Sequence, residues 1–457
     1  MKRNRKAKIL ATLGPASNSS DTIEKIFTAG ADVFRLNFSH STIEEHRKNV
    51  DIIRSLEKKY NHPTCILADL QGPKLRIGNF TNKKENLKRG ESFTFDLDNN
   101  PGNKSRVNFP HPEIYEMLTP NTFILINDGK LKMQIIEQKK DSLIAEVLND
   151  GEISDNKGVN IPDAILPISS LTSKDKSDLN KALEMGADWI ALSFIQTVDN
   201  VRELKKLVGS KASVMAKIEK PSALKNINEI IAEADGIMIA RGDLGVELPP
   251  EKVPSIQKTI INECRKAGKP VVVATQMLES MINSSTPTRA EASDVANAIY
   301  DGSDAVMLSG ESAIGKYPVE TVTIMNKIIE TVERDKENYN ITFHHEIDSS
   351  KIINTSEAIT SAAYTISRNA DAKTIITFSV SGNTTSRMSK ERAPVQIIGI
   401  SPNIMTARKL QIMWGVHSCH HEDAHNVQEM VSIACSVAKD KKIAIPGDSV
   451  VITAGVP

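Results

Sequence analysis

The sequence predicts an α/β protein: a (β/α)8 barrel, a small β-barrel lid domain inserted into it, and a doubly wound α/β domain at the C-terminal end. Three observations predict this. Eight short β-branched runs recur, at 8–13, 32–38, 64–70, 188–194, 213–218, 236–240, 270–275 and 305–308. Most start about 20–35 residues apart, the length of a strand–helix–strand crossover, and their continuous apolar character suits a parallel sheet buried on both faces. The gap between the runs at 64 and 188 is too long for a crossover, so something is inserted there. Beyond the eighth run, a second alternation of helices and strands begins near residue 355. A chain of 457 residues also calls for more than one core, since domains rarely exceed about 250–300 residues.

Within the insert, 92–97, 122–126, 130–137 and 142–147 read as strands, punctuated by Asn99-Asn100-Pro101-Gly102 and Asn127-Asp128-Gly129, which are turn signals. The insert projects from the loop after the third strand, on the face where barrel active sites form. Residues 317–335 read as a helix and 336–350 as a polar linker. A helix at 355–368, strands at 374–378 and 396–400, a helix at 426–438 and a strand at 449–453 complete the chain. The expected domain ranges are 1–72 and 168–340 for the barrel, 73–167 for the lid and 341–457 for the last domain.

Fifty-seven Lys and Arg balance fifty-seven Asp and Glu, so nothing global draws the chain onto nucleic acid or an anionic membrane. Any anionic ligand needs a local site. The 40% hydrophobic and 25% charged composition is that of a globular protein, and no apolar run approaches the roughly 18–20 residues of a membrane span. The basic N-terminus is followed only by Ile9-Leu10-Ala11 before Thr12 and Gly14 intervene, which is no secretory h-region. Cys65, Cys264, Cys419 and Cys435 are scattered without CxxC spacing, pointing to reduced thiols in the cytoplasm and against structural zinc.

The chemistry gathers at strand ends. The second strand ends in Arg35-Leu36-Asn37-Phe38-Ser39-His40, and the third in Asp69-Leu70-Gln71-Gly72-Pro73-Lys74-Leu75-Arg76. The fifth ends in Lys217-Ile218-Glu219, the sixth in Ala240-Arg241-Gly242-Asp243, the seventh in Thr275-Gln276 and the eighth in Ser309-Gly310-Glu311. The first closes on Thr12 and Gly14-Pro15; the fourth ends plainly on Ser193-Phe194. In a (β/α)8 barrel these ends converge on the catalytic rim. Glu219 and Asp243, carboxylates on neighbouring strands, match the one or two carboxylates that hold magnesium, or manganese, while water and substrate oxygens complete the shell. Lys217, two residues before Glu219, points to the same side of its strand and sets an ammonium beside that metal. With Arg35 and Arg76 it forms a clamp for a phosphoryl group in transit. Gly242 opens the backbone so that amides around Ala240–Asp243 can bind a small carboxylate.

These residues carry a family resemblance. MAKIEK around Lys217, ARGDLG at 240–245, ATQMLESM at 274–281, MLSGESAIGKYP at 307–318 and RLNFSH at 35–40 resemble the signatures of the pyruvate kinases, as KGVNIP at 157–162 resembles the segment that closes their lid. The likeness runs from Lys8 to Pro457 in the family's order. It implies that phosphoenolpyruvate and ADP yield pyruvate and ATP, with Lys217 stabilising the phosphoryl group and Glu219 and Asp243 binding Mg²⁺. Arg35 would hold the phosphate; Asn37, His40, Arg76 and Lys174 would serve the nucleotide and phosphate; Arg241 and its neighbours would bind substrate. Thr275, with Ser309 and Glu311 behind it, would stand where the pyruvate enolate gains its proton, through water. A homotetramer is the family's common assembly. A metal-dependent lyase of 2-oxo acids is the competing enzyme reading, disfavoured by the lid and by Arg35, Arg76 and Lys174; a non-catalytic paralogue is disfavoured by intact Lys217, Glu219, Asp243 and Thr275.

The resemblance also bears on cations and effectors. Most members hold potassium at positions matching Asn37, Ser39, Asp69 and the carbonyl of residue 70, but here Leu70, Gln71, Lys74 and Ile77 replace the Thr, Lys, Glu and Thr of that pattern. The set resembles the potassium-independent branch. Residues 379–385, Ser-Val-Ser-Gly-Asn-Thr-Thr, match the family's effector loop in position and could cradle a phosphate at a helix N-terminus. Because the sequence ends at 454–457, where members usually continue, weak or absent activation by fructose 1,6-bisphosphate is expected, with AMP or a sugar monophosphate as simpler effectors.

Other signals read as structural. The cluster of His417, Cys419, His420, His421 and His425 is expected in a solvated strand-to-helix loop, Lys83-Lys84 and Lys139-Lys140 in lid turns, and Cys65, Met277 and Met281 in the core. Lys217 itself is expected on a partly solvated rim.

Overall fold

The structure is a computed structural model that describes residues 3–162, 164–335 and 355–454. The expected linker at 336–350 lies outside the described residues. Eight parallel strands close a barrel: β1 (Lys8–Leu13), β2 (Val33–Asn37), β3 (Cys65–Asp69), β4 (Trp189–Leu192), β5 (Ser213–Ile218), β6 (Gly236–Ala240), β7 (Val271–Ala274) and β8 (Ala305–Leu308). Each strand pairs with its neighbours in sequence, and β1 closes the ring against β8 through Lys8↔Ala305 and Ala11↔Leu308.

Strand alternation explains where polar groups end up. Ile9, Ala11, Phe34, Leu36, Ile66 and Ala68 face the surrounding helices, whereas Leu10, Val33, Cys65, Leu67, Met215 and Met238 fill the barrel interior. Two residues further along each strand the direction repeats. Thr12, Arg35, Asp69 and Lys217 therefore share the inward register of Leu10, Val33, Leu67 and Met215, forming a polar layer on an apolar plug. Met277 and Met281 are core residues, as expected.

The insert between β3 and β4 forms a six-stranded sheet and a two-stranded ribbon around its own apolar cluster, which includes Phe93, Phe95, Phe109, Tyr115 and Leu131. Strands at Lys84–Leu87, Arg106–Asn108, Gly151–Ser154 and Val159–Asn160 had no clear signal: each is short, and 84–87 carries three charged or amide residues in four positions. Gly72 starts the insert at φ +70°, where a Cβ would come 2.8 Å from the Phe194 ring.

The C-terminal sheet comprises β9 (Thr374–Phe378), β10 (Gln396–Ser401), β11 (Val416–His420) and β12 (Val450–Ala454), all parallel, in the order β11-β10-β9-β12. The presence of β11 corrects the expected solvated loop. His417 is 4% exposed, beside Lys8 and His62 of the barrel base, and Cys419 is 5% exposed in the domain's own apolar cluster with Ile433 and Ala434, while His420, His421 and His425 are exposed. Histidine and cysteine alternating with Ser418 carry little strand signal, yet neighbouring β10 supplies the pairing. This domain plugs the barrel from below: Ile412 joins the interior cluster, Lys8 Nζ donates to the Val416 carbonyl at 2.5 Å, and the Trp189 indole donates to the Lys409 carbonyl at 3.2 Å. Arg392 pairs with Asp304 at 3.0 Å and Arg408 with Glu57 at 2.5 Å across the same junction.

Candidate active site

The polar layer assembles around Lys217. Its Nζ lies 2.9 Å from Glu219 Oε1 and 3.2 Å from Asp69 Oδ1, and donates to Ser193 Oγ at 2.7 Å. Arg35 Nε reaches the other Asp69 oxygen at 2.7 Å, while Arg35 Nη1 donates to Thr12 Oγ1 at 3.1 Å. Two cations thus share one carboxylate, Asp69, which is 1% exposed. Lys217 is 9% exposed, so the expectation of a partly solvated rim is corrected: Asp69, Ser193 and Glu219 enclose it.

Burial alone would neutralise the Lys217 amine, but Asp69 and then Glu219 outweigh it and hold the ammonium well above the usual lysine range. Asp69 is likewise opposed by burial, yet Lys217 and Arg35 keep it ionised. Glu219 differs. Burial pushes it up, and Asp243 adds to the rise against the pull of Lys217. The Lys217 and Glu219 shifts favour opposite forms of their ion pair; we take the pair as charged, since Glu219 also accepts the Phe194 amide at 2.7 Å. A buried carboxylate raised by a second carboxylate is the deficit that a divalent cation relieves. Asp243 has no hydrogen-bond or ion-pair partner among the described residues. Glu219 and Asp243 therefore fit an Mg²⁺ ion whose remaining ligands are water and substrate oxygens.

The seventh strand contributes a strained turn. Thr275 sits at φ +70° and Gln276 at φ +53°, an outlier for a β-branched residue. Arg241 holds it there: Nη2 donates to the Thr275 carbonyl at 2.7 Å while Nη1 pairs with Asp294 at 2.7 Å. Thr275 Oγ1 in turn accepts the Gly242 amide at 2.7 Å, joining the seventh strand to the first turn of the helix Arg241–Glu247. Behind it, Glu311 accepts the amides of Ser309 at 2.7 Å and Leu278 at 3.1 Å.

Other expected residues stand apart from this layer. Asn37 Oδ1 accepts the Ser39 amide at 3.1 Å, His40 is exposed, and Lys174 is tied to the Phe38 carbonyl at 2.8 Å and to Asp178 at 2.5 Å. Arg76 is exposed on the lid hinge, donating to the Asn156 carbonyl at 2.9 Å. Lys74 runs along Gly158, where a Cβ would meet its Cε at 3.1 Å. Sequence reasoning missed Ser193 and Phe194: the strand end that reads as plain supplies an acceptor to Lys217 and an amide to Glu219. Phe194 does so at φ +55°, a conformation that no residue type announces.

Comparisons with known proteins bear directly on this arrangement. Residues 4–322 match the family model of the pyruvate kinase barrel domain, and residues 357–457 that of the pyruvate kinase alpha/beta domain. The chain belongs to the pyruvate kinase family. It is 48% identical to a pyruvate kinase of Methylorubrum extorquens over all of this chain and 95% of that protein. It is 46% identical to one from Agrobacterium vitis, over 100% and 95% of the two chains. The crystal structure of a pyruvate kinase from Cryptosporidium parvum, 35% identical, superposes with a TM-score of 0.93 over 99% of this chain and 94% of that one. The pyruvate kinase barrel here carries its polar layer at the strand ends around Lys217, and no helix among the described residues is long and apolar enough to cross a membrane.

Proposed function

We infer that the rim around Lys217 moves the phosphoryl group of phosphoenolpyruvate to ADP, giving pyruvate and ATP in the final step of glycolysis. The observation that carries this reading is the Lys217 ammonium, kept charged by Asp69 and Glu219 and set beside Arg35. Phosphoryl transfer needs charge neutralisation and alignment rather than a covalent intermediate. Lys217 and Arg35 supply fixed positive charge where the transferring group's oxygens gather. The family uses a divalent metal; Glu219 and Asp243 would hold Mg²⁺, or Mn²⁺, which when bound neutralises phosphate and enolate oxygens. The amides beside Gly242, whose own N–H goes to Thr275 Oγ1, would orient the substrate carboxylate. Thr275 Oγ1 would order the water that protonates the enolate, with Ser309 and Glu311 fixing the wall behind it. Asn37, His40, Arg76 and Lys174 would close on the nucleotide.

The reading extends to a cytoplasmic homotetramer with domain limits at 72/73, 167/168 and 340/341, and to a phosphorylated effector. Supporting the last, the turn before the helix Asn383–Lys390 has Gly382 donating to Ser379 Oγ at 2.9 Å. It opens onto a cavity of about 420 Å³ bordered by Lys269, Arg387, Lys390 and Lys409. A coupled assay of pyruvate formation from phosphoenolpyruvate and ADP tests the function: activity is expected in wild type and lost in Lys217→Met. Titrating AMP, a sugar monophosphate and fructose 1,6-bisphosphate into it tests the effector.

A further inference from the structure

Outside the polar layer, one buried carboxylate joins three elements. Glu247 ends the helix Arg241–Glu247, whose first turn carries Gly242 and Asp243, and its side chain is 1% exposed. One of its oxygens, Oε1, accepts the Asn160 side-chain amide at 2.8 Å and lies 3.2 Å from Lys220 Nζ. Asn160 belongs to the last lid strand, Val159–Asn160, and Lys220 directly follows Glu219. All three are buried: Asn160 is 9% exposed and Lys220 7%. The second oxygen, Oε2, is buried without a hydrogen-bond partner. Beside them lies a cavity of about 20 Å³, bordered by Lys74, Leu75, Leu166 and Ile168 from the two chain crossings into the lid. That is room for about one water.

A buried ion pair is a weak source of stability, because desolvation offsets its attraction, but it fixes geometry. Here the geometry fixed is that of the lid, the Glu219 strand end and the helix bearing Asp243, all on a single oxygen. We propose that Glu247 is a positioning residue that registers the seated lid against the two metal carboxylates. With the lid seated, Asn160 and Lys220 converge on Oε1, and the backbone of Lys220 holds Glu219 at the spacing from Asp243 that a divalent cation requires. When the lid swings away, Asn160 leaves, the Lys220 contact loosens, and the Glu219 to Asp243 spacing relaxes. Metal affinity and lid closure are thereby coupled through a residue that touches neither metal nor substrate.

The inference rests on Glu219 and Asp243 holding the metal. Full-length Glu247→Gln, Lys220→Met, Asn160→Leu and the double variant Glu247→Gln/Lys220→Met test it, by Mn²⁺ titration alone and by steady-state kinetics. Glu247→Gln and Lys220→Met are expected to weaken Mn²⁺ binding and raise the metal KM by about 10-fold with kcat within about 2-fold of wild type. The double variant is expected to be no worse than either single one, because both break the same contact. Lys220→Arg should restore the wild-type metal KM. Asn160→Leu, which removes the lid's contact with Oε1, should weaken Mn²⁺ binding in the same direction and raise the KM for ADP. Wild-type metal affinity and KM values in all variants, with only thermal stability lowered, would overturn the proposal, as would additive losses in the double variant. Should Glu247→Gln fail to fold, Lys220→Met and Lys220→Arg decide the question by themselves. An unaltered Mn²⁺ titration in Glu219→Gln would instead count against the metal assignment beneath it.

Discussion

Lys217 Nζ and Asp69 Oδ1 lie 3.2 Å apart in a layer that water scarcely reaches. The pair has two roles that a single substitution separates. Lys217→Met removes a charge aimed at the transferring phosphoryl group, at a cost of about 3–4 kcal/mol or more in transition-state stabilisation. It also strands Asp69 and Glu219, and breaking a buried pair costs about 3–5 kcal/mol of folding stability. We therefore expect both lost turnover and a lower Tm. Adding Asp69→Asn should recover stability without recovering turnover. Near-wild-type turnover in a folded Lys217→Met protein would contradict the role of Lys217 altogether.

Thr275 combines backbone strain with a hydrogen bond to its neighbouring strand end. Its φ of +70° stores about 1–3 kcal/mol of backbone strain, while its Oγ1 accepts the Gly242 amide. Thr275→Gly removes both, so thermal stability should hold or rise while kcat falls by about 100-fold. Thr275→Ser keeps the hydroxyl and should retain most of the turnover. Equal losses in the glycine and serine variants would show that the hydroxyl does not matter.

The histidines at the barrel base give a pH prediction. Burial, helped by Arg3 for His62 and by Lys8 for His417, holds both imidazoles well below the usual histidine range. Unfolded, they take up protons near pH 6.5; folded, they resist until lower pH. Stability from this source is full above about pH 6.5 and declines as the pH falls below it, by about 1.4 kcal/mol per unit of depression reached. Thermal unfolding followed from pH 7.5 to 5.5 should show a steeper fall for wild type than for His417→Asn. Parallel slopes would exclude His417 as a contributor.

Much of this site was legible in the sequence because barrel geometry turns strand ends into one surface. The eight β-branched runs fall on β1 to β8, and alternation by two from Leu10, Val33, Leu67 and Met215 carries Thr12, Arg35, Asp69 and Lys217 inward. Glu219 and Asp243 follow from their residue types. What stayed hidden depends on long-range packing. Ser193 and Phe194 matter through an αL turn, Glu247 matters through partners 27 and 87 residues away, and β11 forms only because β10 offers it an edge. Lys217 reads as rim-exposed in sequence, since nothing local reveals that Asp69 and Ser193 close over it.

Asp69, the carboxylate of the expected potassium position, already has Arg35 on one oxygen and Lys217 on the other. A further cation a few ångströms away meets repulsion of about 4 kcal/mol per neighbouring charge at an effective dielectric of 20. Lys74, in place of an acidic residue, removes a carboxylate from the same side of the protein. Its stem lies along Gly158, beside the cavity that Lys220 and Glu247 border, at the lid hinge. We expect substantial turnover in tetramethylammonium buffer free of potassium. Lys74→Glu shifts the local charge by two units and should create a potassium requirement, whereas Lys74→Met, which shifts it by one and leaves no acidic ligand, should lower turnover without one. A large fall in wild-type turnover on removing potassium would refute the reading, and a potassium requirement in Lys74→Met as strong as in Lys74→Glu would show that the lost ammonium, rather than the gained carboxylate, makes the site.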